Sequence, residues 1–456
     1  MKKEYFFLIL LVVAGCRSEP SADWDFRSFY KPAGNPIIGA DSTLSFVDPV
    51  SRAVVKLQKA DVFNPGAIVR SNKVFLLLRC EDNPRAILGG RTSRIGLAFS
   101  DDGIHFTRYP APVLYPDSGK YMVYDYPGGC EDPRIVQTID TLYVLTYTSW
   151  NYKLARLSVA FSRDLIDWEK KGPAFAKAHN RRFLDIWSKS GSIVTRLENG
   201  RQVVAKINGK YWMYWGENFI NLAWSDNLSD WNPLLDEKGE LKEIVKTRPG
   251  KFDSNLVECG PPAIINEEGI VLFYNGKNAS GESADKSLPE STYSVGKVVF
   301  DPGNPERVIS RSDTCLLKPT LSHEITGQYS AGTTFAEGLV YFKSKWFLYY
   351  GTADSYVGDG ASAYSQAYKA LADKGLDEIK GKLEELVQAV KAESGQLKDA
   401  GKVHKSTEEL ARELAKEKPE KPVVLRILEQ IAGAAGNVST VIAAVKGLIG
   451  VASFLV

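Results

Sequence analysis

At 456 residues the chain is longer than one ordinary core organises, and two or three domains are expected. Its 57 Lys and Arg against 55 Asp and Glu leave a formal net charge of only +2, which argues against a nucleic-acid or polyanion binder. Four His and five Cys without metal-ligand spacing argue against a metal site, and with no Walker loop or dinucleotide fingerprint no cofactor is expected.

In chain order, the first segment reads as a targeting signal. Lys2 and Lys3 precede the apolar run 6–13, and Val13-Ala14-Gly15-Cys16 resembles a bacterial lipobox. Residues 1–16 therefore read as a lipoprotein signal peptide, too short to span a bilayer, with Cys16 as the lipidated mature N-terminus. Residues 17–40 read as a tether. The expectation is an exported bacterial lipoprotein, anchored at the outer membrane or on a surface or periplasmic face.

From residue 41 a phrase begins to recur. GLAFSDDGIHF (96–106), SVAFSRDLIDW (158–168) and NLAWSDNLSDW (221–231) place Ala98, Ala160 and Ala223 at intervals of 62 and 63 residues. Aromatic and β-branched runs lie at 74–79, 141–149, 210–217, 270–276 and 345–354, each closing on Gly or polar residues as a buried strand should. About ten residues before each is another short strand candidate: NPGAIV (64–69), EDPRIVQT (131–138), KSGSIVT (189–195), GPPAIIN (260–266) and GTTFAEG (332–338). Five hairpin-led units at a period near 60 predict an all-β domain over 41–360, a five-bladed β-propeller, with a β-sandwich as the alternative. The fifth unit has only SYVGDG (355–360) for a third strand. Either the N-terminal segment completes it, or the sheet edge is exposed. Cys80, Cys130, Cys259 and Cys315 read as small buried residues, with a Cys80–Cys130 disulfide left open.

After residue 360 the composition changes. Residues 361–456 lack Trp and hold three aromatics, Tyr364, Tyr368 and Phe454. Leu376, Ile379, Leu383, Leu386, Val387 and Val390 follow helical spacing, and Ser406 with Glu409 forms a capping-box pattern ahead of Leu410. The apolar stretch 423–456 carries Lys446 and four glycines, which favours a small helical bundle over membrane insertion. This separate C-terminal α-helical segment reads as an interaction module for a protein partner.

In a propeller the first strand of each blade lines the central channel. Asn64, Glu131, Asp132, Lys189, Ser190 and Glu258 stand at those strand starts, and Arg79, Glu217 and Asp354 end the following strands. Carboxylates and cations converging on one concave site suit sugar cleavage, where one carboxyl protonates the leaving oxygen and another activates the nucleophile.

GGCEDPRI (128–135), with NPGAI (64–68), the Arg79 ending of VFLLLR, RIGLAFSDDGIHF (94–106), GPPAI (260–264) and YYGTAD (349–354), resembles glycoside hydrolase family 130, the mannoside phosphorylases and mannosidases, over about residues 40–358. The resemblance implies a five-bladed propeller with Asp132 as general acid, its proton passing through a hydroxyl of the bound mannose. It also implies that Asn64, Arg79, Arg94 and Asp354 hold the sugar in the −1 subsite, and Lys189 joins them as a substrate-binding residue. Phosphorylases of the family carry a cation after the strand that here reads KINGKYWMYWGE (206–217), where Trp215, Gly216 and Glu217 stand instead. Before GPP they have small residues, whereas this chain has Glu258. Two added carboxylates would repel phosphate and could activate water. The expected activity is inverting hydrolysis of β-mannosides, β-1,2-linked manno-oligosaccharides above all, with Glu217 or Glu258 as base. Acid and base would then stand roughly 6.5–9.5 Å apart. The alternatives are phosphorolysis to mannose 1-phosphate and a tethered glycan-binding lipoprotein without turnover. SDDGIHF also matches the box of sialidase propellers, which bears on fold alone.

Overall fold

The computed structural model describes residues 26, 29, 31–32, 34–83, 85, 91–327, 329, 331–353, 356–361, 367, 371, 374–393, 396–416 and 418–452. Cys16 and Asp354 lie outside the described residues, as do the signal peptide and most of the tether. The fold is mostly β up to residue 361, followed by helices.

Five successive antiparallel units account for the β region. The first contains Asp61–Arg70, Lys73–Glu81 and Ser93–Ser100; the second, Gly129–Gln137, Tyr143–Trp150 and Ala155–Ser162. The third pairs Ser192–Ile193, Lys210–Trp215 and Ile220–Ser225. The fourth pairs Leu256–Cys259, Gly269–Lys277 and Tyr293–Asp301, and the fifth Phe335–Phe342, Lys345–Thr352 and Tyr356–Ala361. Short parallel contacts such as Ser93 with Gly129 and Thr195 with Ile264 link neighbouring units, and among the described residues the sheets do not close into one continuous ring.

The recurring phrase has a local physical cause. Ser100, Ser162 and Ser225 each accept backbone N–H groups from the residues two and three positions on, at 2.8–3.2 Å. Asp102, Asp164 and Asn227 do the same for the next turn, at 2.8–3.0 Å. Trp168 and Trp231 then close it, each donating its indole N–H to a turn carbonyl at 3.0 Å. The phrase is a turn built from side-chain-to-backbone bonds, repeated because each unit must reverse there.

A second repeated device aims residues inward. The first strands of units one, two and five break register at Phe63/Pro65, Glu131/Arg134 and Ala336/Gly338. Asn64 and Asp132 occupy the left-handed region there, at φ 49° and 50°, and Ser190 does so at φ 57° ahead of the third unit. Asn and Asp tolerate that conformation better than most residues, and the following Pro65 and Pro133 have no N–H to leave unpaired in a bulge.

The fifth unit is completed by the N-terminal segment. Ile37 and Ile38 exchange backbone hydrogen bonds with Val357 at 2.8–2.9 Å. The Asn35 amide donates to the Asp359 carbonyl and accepts its N–H, both at 2.9 Å. The open question about the sheet edge is therefore answered in favour of covering. Cys80, Cys130, Cys259 and Cys315 are free thiols, the first three buried, so the Cys80–Cys130 pairing is not formed.

Asp377–Ala392, Ala400–Ala415, Lys421–Ala435 and Ser439–Val451 form the helical segment, whose core draws only on residues 367–452. Ser406 does not cap a helix. Asp399 accepts the Lys402 N–H at 3.0 Å and starts the helix earlier, leaving Ser406 buried in its interior. Among the described residues no helix is long and apolar enough to cross a membrane.

Candidate active site

A cavity of about 220 Å³ collects residues from all five units. Unit one supplies Asn64 and Arg79, and unit two Glu131, Asp132, Trp150 and Ala155. Lys189 and Glu217 come from the third, Glu258 and Tyr293 from the fourth, and Phe335 from the fifth, with Trp187 in the connection ahead of the third and Tyr329 and Thr333 leading into the fifth. A larger cavity, about 850 Å³ and lined by Tyr109, Phe161 and Trp168 among others, lies on the turns of units one and two and holds none of the candidate residues.

The floor is a hydrogen-bonded cluster centred on Asp132. Its Oδ1 accepts from Asn64 Nδ2 at 2.8 Å and from Arg79 Nη1 at 3.0 Å, while Oδ2 faces Lys189 Nζ at 3.5 Å. The same guanidinium donates through Nη2 to Glu131 at 2.9 Å and to Glu81 at 2.8 Å. Below this layer the buried Arg134 donates to the carbonyls of Asp132, Cys259 and Gly260 at 2.8–3.1 Å and pairs with Glu337 at 3.2 Å. Arg134 thus ties the backbone that presents Asp132 to the backbone that follows Glu258.

On the opposite wall the segment 187–190 reaches three carboxylates. Trp187 Nε1 donates to Glu217 Oε2 at 2.7 Å, Lys189 faces Asp132, and the Ser190 hydroxyl donates to Glu258. A left-handed residue at 190 lets consecutive side chains serve different partners.

Burial and charge separate the carboxyls. Burial pushes Glu258 up to about 7, and the nearby Glu217 charge adds to that push against Lys189 and Arg134. Glu131 is pushed up to about 7 by burial, reinforced by Asp132 against the pull of Arg79. Burial also opposes the Asp132 charge, yet Arg79, Lys189 and the Asn64 hydrogen bond outweigh it and hold this carboxyl well below the usual range. Lys189 is held above its ordinary value despite burial, by Asp132, Glu217, Glu258 and Glu131. The cavity therefore contains a fixed carboxylate beside groups that exchange protons near neutrality, the arrangement acid–base chemistry needs.

Eight of the predicted positions meet here: Asn64, Arg79, Glu131, Asp132, Lys189, Glu217 and Glu258, with Ser190 bonded to Glu258 behind the wall. Arg94 does not line the cavity. Ser93 turns toward the cluster and bonds Glu81 and Glu131, so its neighbour Arg94 points to the opposite face, where it pairs with Asp48 at 2.6 Å and Asp82 at 2.9 Å. The aromatic lining was missed. Trp150 ends its strand just as Arg79 nearly ends its own, and counting aromatics as well as charges at strand ends would have found it. Trp187 lies in a connection outside the repeat and carries no such signal.

Comparison with known proteins bears on the same region. The glycoside hydrolase 130 family, described as β-1,4-mannooligosaccharide phosphorylase, matches residues 40–366. A 1,2-β-oligomannan phosphorylase from Thermoanaerobacter sp. (strain X514) is 32% identical over 66% of this chain and 89% of its own. A solved structure from Bacteroides thetaiotaomicron VPI-5482, a candidate glycosidase, is 51% identical, covers 74% of this chain and 97% of its own, and superposes with a TM-score of 0.73. Another, solved for the GH130 family of mannoside phosphorylases and its glycoside hydrolases that target β-1,2 mannosidic linkages in Candida mannan, is 47% identical over 75% of this chain and 95% of its own, with a TM-score of 0.73.

Proposed function

The chain belongs to glycoside hydrolase family 130, and we propose that it is an inverting hydrolase of β-mannosides, acting on β-1,2-linked manno-oligosaccharides. Its five antiparallel units are then the blades of a five-bladed β-propeller, a reading supported by the repeated turns, the matched bulges and the N-terminal segment bridged to the fifth edge.

One observation carries the choice of water over phosphate. Among the described cavity-lining residues four carboxyls, Glu131, Asp132, Glu217 and Glu258, face two cations, and both cations are already engaged by carboxylates. A phosphate dianion entering such a site meets no uncommitted positive charge, whereas water meets a base.

In this mechanism Asn64, Arg79 and Lys189 fix the reacting mannose on the floor, and Asp132 delivers the proton to the leaving oxygen. Glu258, tuned to about 7, accepts the proton of the attacking water, and Glu217 supplies the charge that tunes it. The phosphorolytic reading has its own support in the relatives named phosphorylases. Proton NMR of mannobiose turnover with and without phosphate decides between them. Hydrolysis gives free mannose, first as the α-anomer, in both tubes. Phosphorolysis gives mannose 1-phosphate and only with phosphate present.

Residues 13–16 support a further proposal, that the chain is exported and held on a membrane by lipid on Cys16. Loss of membrane association in Cys16→Ala is the outcome expected.

A further inference from the structure

We propose that Trp187 is the stacking surface for the leaving-group sugar, and that its indole N–H ties occupancy of that position to the placement of Glu217. The inference rests on the hydrolytic reading above and names the residue that would read the second sugar.

Three observations carry it. Trp187 lines the cavity yet remains 49% exposed, far more than a tryptophan needs to be when a buried site stands beside it. Its ring packs edge-to-face with Trp150, centroids 5.9 Å apart, and Trp150 with Tyr152, centroids 6.3 Å apart, so three aromatic side chains form a wall rising from the cavity toward solvent. The indole N–H, the only polar atom of the side chain, is committed to Glu217 Oε2 at 2.7 Å, which fixes the ring plane.

Position assigns the sugar. Asn64, Arg79 and Asp132 are buried at the floor, where the sugar that reacts must sit. The rest of an oligosaccharide leaves by the mouth and passes the exposed ring. A pyranose presents a face of C–H groups, apolar and slightly positive, which matches the negative face of an aromatic ring. A stacked sugar would hold the indole still, and through its N–H would hold Glu217 beside Glu258. Without that sugar, the indole and Glu217 lose the constraint together.

The two roles separate under substitution. Trp187→Phe keeps a stacking face and loses the N–H; Trp187→Ala loses both. Because the ring is half exposed, neither change removes core packing. For β-1,2-mannobiose hydrolysis, Trp187→Phe is expected to leave KM within about threefold while kcat falls about 10- to 100-fold, the loss of one hydrogen bond to a charged group. Its acidic pH limb moves below the wild-type one, since a released Glu217 no longer raises Glu258. Trp187→Ala is expected to add a KM increase of about tenfold. Calorimetric binding of mannobiose to Glu258→Gln, alone and combined with each Trp187 variant, is the second arm: the Ala change weakens binding and the Phe change does not. A wild-type protein that binds mannobiose without releasing mannose overturns hydrolysis, and the binding arm still decides the stacking role. Equal kcat, KM and pH profiles for wild type and Phe overturn the tie to Glu217. Unchanged affinity in the Ala variant, or no mannobiose binding by the wild type, overturns the stacking role.

Discussion

Arg79 stands 3.0 Å from Asp132 and 2.9 Å from Glu131, so two neighbouring carboxyls share one guanidinium yet are driven in opposite directions. Asp132 also receives Asn64 and Lys189 and stays a carboxylate; Glu131 gains less from the shared cation than burial and Asp132 cost it. An acid role for Asp132 therefore requires a proton that the free protein does not keep there.

That requirement is measurable. At pH 8, above the value near 7 to which Glu131 is pushed, binding of mannobiose to Glu258→Gln should take up about one proton. Calorimetry in buffers of different ionisation enthalpy reads the number directly. Adding Asp132→Asn should abolish the uptake while retaining binding. Asp132→Asn alone should lower kcat by at least about 100-fold, the ordinary contribution of a positioned acid. Undiminished turnover in that variant would remove Asp132 from the mechanism.

A second prediction concerns the base. If Glu258 accepts the water proton, kcat/KM falls as pH drops through about 7, because the protonated form cannot act. After burial, the Glu217 charge is the largest cause of that high value. Glu217→Gln should therefore move the acidic limb down by about one unit, at reduced kcat, whereas Glu258→Gln should abolish hydrolysis. A limb that stays in place in Glu217→Gln, with hydrolysis surviving in Glu258→Gln, would reverse the two roles.

The same groups govern stability, with a defined sign. Glu258 and Glu131 titrate near 7 when folded and near 4.5 ordinarily, so the folded chain binds extra protons between those values. Their contribution is most favourable below about pH 4.5 and is lost as pH rises through about 7. Asp132 works in the opposite sense, stabilising above its ordinary value and losing that benefit in acid. Glu258→Gln should thus be more stable than wild type at pH 8, by about 1–3 kcal/mol, and nearly equal to it at pH 4.5. Chemical denaturation at the two pH values gives the comparison; a variant less stable at pH 8 would mean that the Ser190 bond outweighs the buried charge.

Much of this site could be read from sequence because the repeat sets equivalent positions. Asn64, Asp132, Lys189 and Glu258 stand at matched strand starts, and at Asn64 and Asp132 the strand bulges just where a proline follows. Arg94, which the family resemblance and not the spacing set at the sugar, lies outside the cavity lining. One residue of strand phase separates it from Ser93, and that phase is set by pairing with Cys80 rather than by any local feature. Trp187 escaped because its role depends on an approach to Glu217 across thirty positions of sequence. The Ser406 pattern misled because Asp399 offers the earlier cap, and the first capped turn propagates through whatever follows.

Closure of the fifth unit is the feature least visible locally, and it yields the last prediction. Asn35 uses both ends of its amide on the backbone of Asp359, and the Ile38 bridge to Val357 continues the pairing. These contacts join the N-terminal segment to the last strand before the helices, so they hold together parts of the chain that nothing local connects. Asn35→Ala removes two hydrogen bonds and leaves the Asp359 N–H and C=O without their partner, at a cost of about 1–3 kcal/mol. Because Asn35 lies outside the cavity lining, kcat and KM at 25 °C should be unchanged while the thermal midpoint falls by several degrees, about 2–4 °C per kcal/mol. Hydrogen exchange gives the sharper reading. Amides of Ile37, Val357 and Asp359 should lose protection together, ahead of the strands of units one to four, if the N-terminal segment closes the fold. Unchanged protection at Val357 would show that the fifth unit stands without it.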